Sequence, residues 1–366
     1  MPWLLAGIQS SAKDLRQIRA LLRVGIWGLV MRILLAAALT VGFAGAADAA
    51  DCSALQIKNS VKLEPLAPLG LMMVPITLNG VEKKFLFDTG GAINSISRAT
   101  VAELKLPEYH SNYRTSDLYG GDSDSFVQVH EVIFGTGKTG GIQFQVMGNL
   151  AFDDGKAPFD GTLSTGVFAH DDFDLDFGVG RLNFFSTDHC EGRVVYWPHQ
   201  VLAVVPMIME QGHINVQITL DGHPLRAILD TGSTRTNLNI VRAQEKLGFS
   251  PDAPTPPDTP KSNPDKNVYP RRFSTLSFEG VTVSNPLVII RPLQFGGSKN
   301  DTVIGSRAEH KDDQVNRLSP DMIIGMDILR HLHIYIATDE QKLYITEAGT
   351  GESPLFKNAA ASANEP

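Results

Sequence analysis

The chain of 366 residues is poor in cysteine, with only Cys52 and Cys190. Neither lies in a spacing that binds zinc, so the sequence predicts no metal site, and nothing in it calls for a cofactor. In an oxidising compartment Cys52 and Cys190 can form one disulfide bond. The alternative, two unpaired thiols, stays open from the sequence alone.

Positive charge is also scarce, because 32 lysines and arginines stand against 40 aspartates and glutamates. Binding to nucleic-acid phosphates needs clustered positive charge, so the sequence argues against a nucleic-acid partner. Apolar residues make up 43% of the chain, which excludes a disordered protein. The length is sufficient for two domains with hydrophobic cores.

A single apolar run near the N-terminus, residues 33–47, follows five basic residues and precedes Ala-Asp-Ala at 47–49. It is short for a membrane span of roughly twenty residues, and it predicts a signal peptide over residues 1–49, with Met31 as a possible true start. An uncleaved anchor is the alternative. Cleavage would remove five basic and two acidic groups and move the net charge from -8 to -11. We expect a periplasmic or secreted protein with no membrane contact after cleavage.

One pattern occurs twice, as Phe-Leu-Phe-Asp-Thr-Gly over residues 85–90 and as Ala-Ile-Leu-Asp-Thr-Gly over residues 227–232. In each copy an apolar strand runs into an aspartate, Asp88 or Asp230, and a glycine lies eight residues before it. A single Asp-Thr-Gly is a weak motif, but this repeat with an offset of 142 extends well beyond three residues. It predicts two homologous halves that contribute one carboxylate each.

Turn signals place each aspartate just past the second strand of a hairpin. Asn-Gly at 79–80 and Asp-Gly at 221–222 separate the apolar strands. Short helices are predicted over residues 98–106 and 241–247. Frequent strands with regular turns favour an all-β fold.

The paired loops resemble those of aspartic proteases, specifically bacterial single-chain relatives of the retropepsins. The resemblance implies two β-barrel lobes with a cleft between them, and Asp88 and Asp230 as the catalytic pair. It also implies that Thr89 and Thr231 hydrogen-bond across to the opposite loop. The glycines Gly90 and Gly232 would let the loops and the substrate backbone approach closely, and Ser233 belongs to the same supporting loop.

Two carboxyl groups a few Å apart share one proton, so one can act as base and the other as acid in peptide hydrolysis. A serine at position 233 can donate to the neighbouring carboxylate, whereas Gly91 cannot. We therefore expect Asp230 to be the more readily ionised member. The resulting prediction is an aspartic endopeptidase acting on a peptide or protein substrate.

Two further segments fit the resemblance less completely. Tyr119, Gly120 and Gly121 are the flap candidate, although an ordinary turn explains them equally well. The segments 160–168 and 321–329 close the two halves and look like copies of each other, with Ser164 where a glycine is usual. This departure keeps open an alternative function, a non-catalytic periplasmic protein that binds a peptide or an envelope component on the same fold.

The repeat also sets the expected domain boundaries. We expect an N-terminal lobe over residues 50–198, a C-terminal lobe over residues 199–350 and a disordered tail over residues 351–366. Both halves lie in one chain, so we expect a monomer. An acidic run over residues 171–176 is most simply a solvated hairpin edge, and a calcium site there would lack the required glycine spacing.

Overall fold

The computed structural model describes residues 52–116, 122–147, 158–168, 170–210, 212–293 and 320–349. Strands dominate these residues and the helices are few and short, which confirms the predicted all-β class. The described residues from Ser53 onward belong to one compact unit. Across the described ranges, no helix is long and apolar enough to cross a membrane.

The strands are numbered in chain order. Those up to residue 185 are β1 (Ile57–Lys62), β2 (Glu64–Leu66), β3 (Leu71–Leu78), β4 (Val81–Asp88), β5 (Ser95–Ser97), β6 (Glu108–Ser116), β7 (Asp122–Val129), β8 (Val132–Phe134), β9 (Gly137–Thr139), β10 (Ile142–Met147), β11 (Gly161–Ser164), β12 (Asp172–Asp176) and β13 (Arg181–Phe185). Those after residue 200 are β14 (Ala203–Glu210), β15 (His213–Leu220), β16 (His223–Leu229), β17 (Asn237–Asn239), β18 (Tyr269–Arg272), β19 (Thr275–Phe278), β20 (Val281–Ser284), β21 (Leu287–Arg291), β22 (Met322–Ile324), β23 (Leu332–Ala337) and β24 (Lys342–Glu347). The α-helices are α1 (Arg98–Glu103), α2 (Ile240–Leu247) and α3 (Met326–Leu329).

These strands form two sheets. Strands β2 to β11 make a ten-stranded sheet with the order β6-β7-β10-β5-β11-β4-β3-β8-β9, and β2 pairs with β3. The fourteen-stranded sheet runs β1-β13-β12-β23-β24-β14-β15-β16-β22-β17-β21-β18, with β19 and β20 attached through β15. The first half of the chain therefore contributes β1, β12 and β13 to a sheet built mainly from the second half.

The two halves repeat one connectivity around their central strands. Strand β11 lies parallel to β4 and antiparallel to β5, and β10 lies parallel to β5. In the second half β22 lies parallel to β16 and antiparallel to β17, and β21 lies parallel to β17. The sequence repeat is thus also a repeat of strand pairing.

Both predicted hairpins are present. Asn79 and Gly80 join β3 to β4, and Asp221 and Gly222 join β15 to β16. All four residues have positive φ angles of 47°, 84°, 47° and 81°, as a two-residue turn of this kind requires. The residues before each aspartate, 85–87 and 227–229, are buried without alternation, as expected for strands covered on both faces.

The helices begin at polar caps. Ser97 caps α1 and Asn239 caps α2, each accepting a hydrogen bond from a first-turn amide. Gly248, with φ of 67°, ends α2 where the sequence predicts. The first helix ends at Glu103, three residues before the predicted end.

The acidic run is not a solvated hairpin edge. It lies on β12, which pairs with β13 on one side and with β23 on the other. Asp172 and Asp174 are only 1% and 0% exposed. The expectation of a surface edge was wrong, because partners distant in the sequence cover these carboxylates.

Asp172 accepts four hydrogen bonds or close polar contacts. His189 Nε2 lies 2.7 Å from its Oδ2, Tyr335 donates at 3.2 Å, and the amide and hydroxyl of Thr338 donate at 2.8 and 2.7 Å. Burial opposes the charged imidazole, but the contacts with Asp172 and with the carbonyl of Cys190 outweigh it and raise the pKa of His189.

Asp174 has a comparable set of partners. Tyr196 and Asn183 donate to it at 2.5 and 2.8 Å, and His333 Nε2 lies at 3.0 Å. The ring of Trp197 stacks on His333 with 3.7 Å between ring centroids. The acidic side chains are thus occupied by protein groups, and the described residues include no group of three or more His, Cys, Asp or Glu side chains placed to hold a metal ion.

Cys52 and Cys190 are both disulfide-bonded. They are the only cysteines of the chain, so the predicted disulfide is confirmed and the alternative of two free thiols is wrong.

Candidate active site

Each aspartate lies at the end of a buried strand that a second strand supports. In the first half β11 runs beside β4, with Ser164 opposite Asp88. In the second half β22 runs beside β16, and Asp230 N donates to Ile324 O at 2.9 Å. The closing segments predicted to be copies therefore occupy the same place in both halves and fix the backbone of both loops.

The two loops are joined by four hydrogen bonds between the threonines and the opposite backbone. Thr89 Oγ1 donates to Leu229 O at 2.7 Å and accepts from Thr231 N at 3.1 Å. Thr231 Oγ1 donates to Phe87 O at 2.6 Å and accepts from Thr89 N at 3.1 Å. Both threonines are 1% exposed, so the bonds are shielded from water. This reciprocal set brings the two aspartates together at one point.

The glycines after the threonines leave room for the opposite carboxylate. A Cβ on Gly90 would lie 2.2–2.6 Å from the carboxyl atoms of Asp230, and one on Gly232 would lie 2.5–3.0 Å from those of Asp88. Each glycine amide also donates to the aspartate of its own loop, at 3.0 Å to Asp88 and 2.8 Å to Asp230. A Cβ at either position would therefore displace the opposite carboxyl group.

Burial raises the pKa of both carboxyl groups. The charge of Asp88 adds to burial at Asp230 and holds the pKa of Asp230 well above its usual range. At Asp88, burial raises the pKa. A hydrogen bond with Asp230 and the backbone amides of Gly90 and Gly91 offset only part of this rise. The pair retains a proton at a pH where an exposed aspartate has lost its own.

The hydroxyl of Ser233 does not serve the carboxylate as expected. It donates to Arg235 O at 2.8 Å and accepts from Asn237 Nδ2 at 3.1 Å. The backbone amide of Ser233 is the group that interacts with Asp230, and Gly91 supplies the same group to Asp88. The expected hydrogen bond from the Ser233 hydroxyl to the carboxylate was therefore wrong, and the backbone groups that act on Asp88 and Asp230 are alike in both copies.

The departure at Ser164 has a local explanation. Ser164 N donates to Asn94 Oδ1 at 2.9 Å, and its hydroxyl contacts the same oxygen at 3.2 Å. In the second half Gly325 N donates to Thr236 Oγ1 at 3.2 Å instead. A Cβ on Gly325 would lie 2.4 Å from Arg235 O, so the serine of the first half would not fit the second.

A cavity of about 470 Å³ opens beside the Asp88 loop. Its walls come from residues 92–94 of that loop, from β10 and from residues 164–167. The sequence reading missed its glutamines, Gln143 and Gln145. The 142-residue repeat does not single them out, because strand register matches Gln145 with Ile289, which lies 144 residues later.

The flap candidate of Tyr119, Gly120 and Gly121 lies outside the described residues. Strands β6 and β7, which flank it in the sequence, pair with each other in the ten-stranded sheet.

A protein-family model described as aspartyl protease matches residues 74–167 and 216–328. Each matched region contains one Asp-Thr-Gly loop, and together they cover more than half of the chain. No curated protein matches the sequence. The paired loops, their repeated strand support and this match agree, and the chain belongs to the aspartyl protease family.

Proposed function

We propose that the protein is an aspartic endopeptidase in which Asp88 and Asp230 activate a water molecule against a peptide bond. The observation that carries this proposal is the carboxylate pair, with raised pKa values in both members and both loops locked by buried threonine bonds. A fold used only for binding would have no need to confine two acids at one buried point.

Asp88 and Asp230 share one proton, so one carboxyl group of the pair is ionised and the other is protonated. The ionised member removes a proton from the water, while the protonated member donates its proton to the carbonyl oxygen of the substrate. The water oxygen bonds to the carbonyl carbon and gives a tetrahedral intermediate. Collapse of this intermediate breaks the carbon–nitrogen bond, and the proton taken from the water passes to the leaving nitrogen. The proton on the former carbonyl oxygen returns to the pair, which regains its starting state.

The test is cleavage of a diverse peptide pool between pH 3 and 8 by the chain, expressed with its own leader and purified. Asp88→Asn and Asp230→Asn keep the side-chain shape and remove one carboxylate each. Loss of cleavage in both variants, with circular dichroism unchanged, supports a shared catalytic pair. Cleavage that survives either substitution refutes it. If the wild-type chain is folded and inert, the alternative of a binding protein becomes the working description.

We also propose that residues 1–49 are removed on export and that the mature monomer lies in the periplasm or outside the cell. The disulfide supports this location, because such bonds persist in oxidising compartments. N-terminal sequencing of the exported protein tests the cleavage site, and a product that retains residues 1–49 would contradict it. Sedimentation of the purified protein tests the monomer.

A further inference from the structure

The cavity beside Asp88 has polar but uncharged walls. Asn94, Ser111, Gln143, Gln145 and Ser164 contribute polar side chains, and none of its described lining residues carries a charge. Gln145 is 8% exposed. A buried polar side chain such as Gln145 is costly unless its groups find hydrogen-bonding partners.

Two of these amides are already held at one end. Gln145 Nε2 donates to Ser123 O at 2.9 Å, which leaves its carbonyl oxygen as the accepting end. Asn94 Oδ1 accepts from the amide and hydroxyl of Ser164, which leaves its amide nitrogen as the donating end. The cavity wall thus offers a ligand one acceptor and one donor.

The second half lacks this polarity at the matching positions. Gln145 lies opposite Ser95 in the parallel pair β10–β5, and Ile289 lies opposite Asn237 in the parallel pair β21–β17. Ser95 and Asn237 are 142 residues apart, which is the offset of the catalytic repeat, so Gln145 and Ile289 correspond.

Two residues earlier on the same strands, Gln143 corresponds to Leu287. Gln143 is exposed, and Leu287 is partly buried. Glutamine therefore replaces an aliphatic residue at two successive positions on the same face of the strand, only in the half that carries Asp88.

We propose that this cavity binds an uncharged, hydrogen-bonding side chain of the substrate, an amide or a hydroxyl, close to the bond that is cut. The proposal rests on the proposed function and names the class of peptide that it selects. An amide side chain satisfies both the acceptor of Gln145 and the donor of Asn94. A charged side chain would enter a wall without a countercharge and is disfavoured.

The experiment has two readouts. In the first, the wild-type chain cleaves a randomised peptide pool and the products are sequenced by mass spectrometry. In the second, immobilised Asp88→Asn chain captures peptides from the same pool, which reports recognition without hydrolysis. We expect Gln, Asn, Ser or Thr to exceed Leu and Met by about three- to tenfold at one position, the size of one or two net hydrogen bonds.

Gln143→Leu and Gln145→Leu, each made alone in both backgrounds, should abolish this preference. Leucine is the natural residue at the matching position of the second half. Gln217→Leu is the matched control, because Gln217 is an exposed glutamine on β15 that does not line the cavity. It should leave the preference unchanged.

Each result decides a different claim. Cleavage without a polar preference, or with one that survives both cavity substitutions, overturns the inference and leaves the proposed function standing. Capture with a polar preference that Gln143→Leu removes, without any cleavage, supports the inference and rejects hydrolysis. Failure of both cleavage and capture overturns both.

Discussion

Replacing Thr231 by valine tests how the two loops are held together. Valine keeps the shape of threonine, but it removes the hydroxyl that donates to Phe87 O and accepts from Thr89 N. Both partners lie in a buried region, so the substitution leaves one carbonyl and one amide without a hydrogen bond. Each such loss costs about 1–3 kcal/mol, and we expect the free energy of unfolding to fall by about 2–6 kcal/mol.

The assay is urea unfolding at pH 7, followed by circular dichroism. Thr231→Ser is the control, because it retains the hydroxyl and loses only a methyl group, and it should cost about 1 kcal/mol. Thr89→Val should match Thr231→Val, since its hydroxyl makes the reciprocal pair of bonds. A loss below about 1 kcal/mol for both valine variants, with an unchanged denaturant slope, would refute the view that these bonds hold the halves together.

Three further substitutions test the carboxylates and the buried network. Gly90→Ala should abolish peptide cleavage in a chain that still folds, because the added Cβ would lie within 2.6 Å of the Asp230 carboxylate. Full activity of this variant would contradict the close approach of the two loops. Asp230→Asn should raise the free energy of unfolding at pH 7 relative to wild type, because the buried carboxyl group resists ionisation. This gain in stability should vanish near pH 4, and a lower stability than wild type at pH 7 would contradict the prediction. The wild-type chain should lose stability as the pH rises above about 6.5, because the contact with Asp172 stabilises the protonated ring of His189. His189→Gln should remove this loss, and an identical dependence of stability on pH in the variant would exclude the role.

Local signals in the sequence were enough for the elements that carry the aspartates. The Asn-Gly and Asp-Gly turns, the unbroken apolar strands and Gly248 each act within a few residues, so the hairpins and the end of α2 follow from the sequence. The repeat then indicated that Asp88 and Asp230 meet, because equivalent halves place equivalent residues symmetrically.

Long-range pairings were beyond such signals. Asp174 contacts His333, which lies 159 residues away in the sequence, and no residue pattern near β12 predicts that contact. The same limit explains why the sequence did not indicate that β1 and β12 join the sheet of the second half. The predicted hydrogen bond of Ser233 was wrong for another reason. Its hydroxyl has more than one possible acceptor, and it donates to Arg235 O.

Three titratable groups act on stability in one direction, whereas His213 and His331, whose pKa values burial lowers, act in the other. Asp88, Asp230 and His189 all have raised pKa values, so each contributes stability that is present below its unfolded pKa and is lost as the pH rises through its folded pKa. The aspartates act from about pH 4 upward and the histidine from about pH 6.5 upward. Among the carboxyl groups, lowered pKa values occur at Glu64 and Asp124, which are partly exposed and screened by water, so they oppose this trend weakly. The catalytic pair and the contact of His189 with Asp172 thus both favour the folded chain more at low pH than at neutral pH.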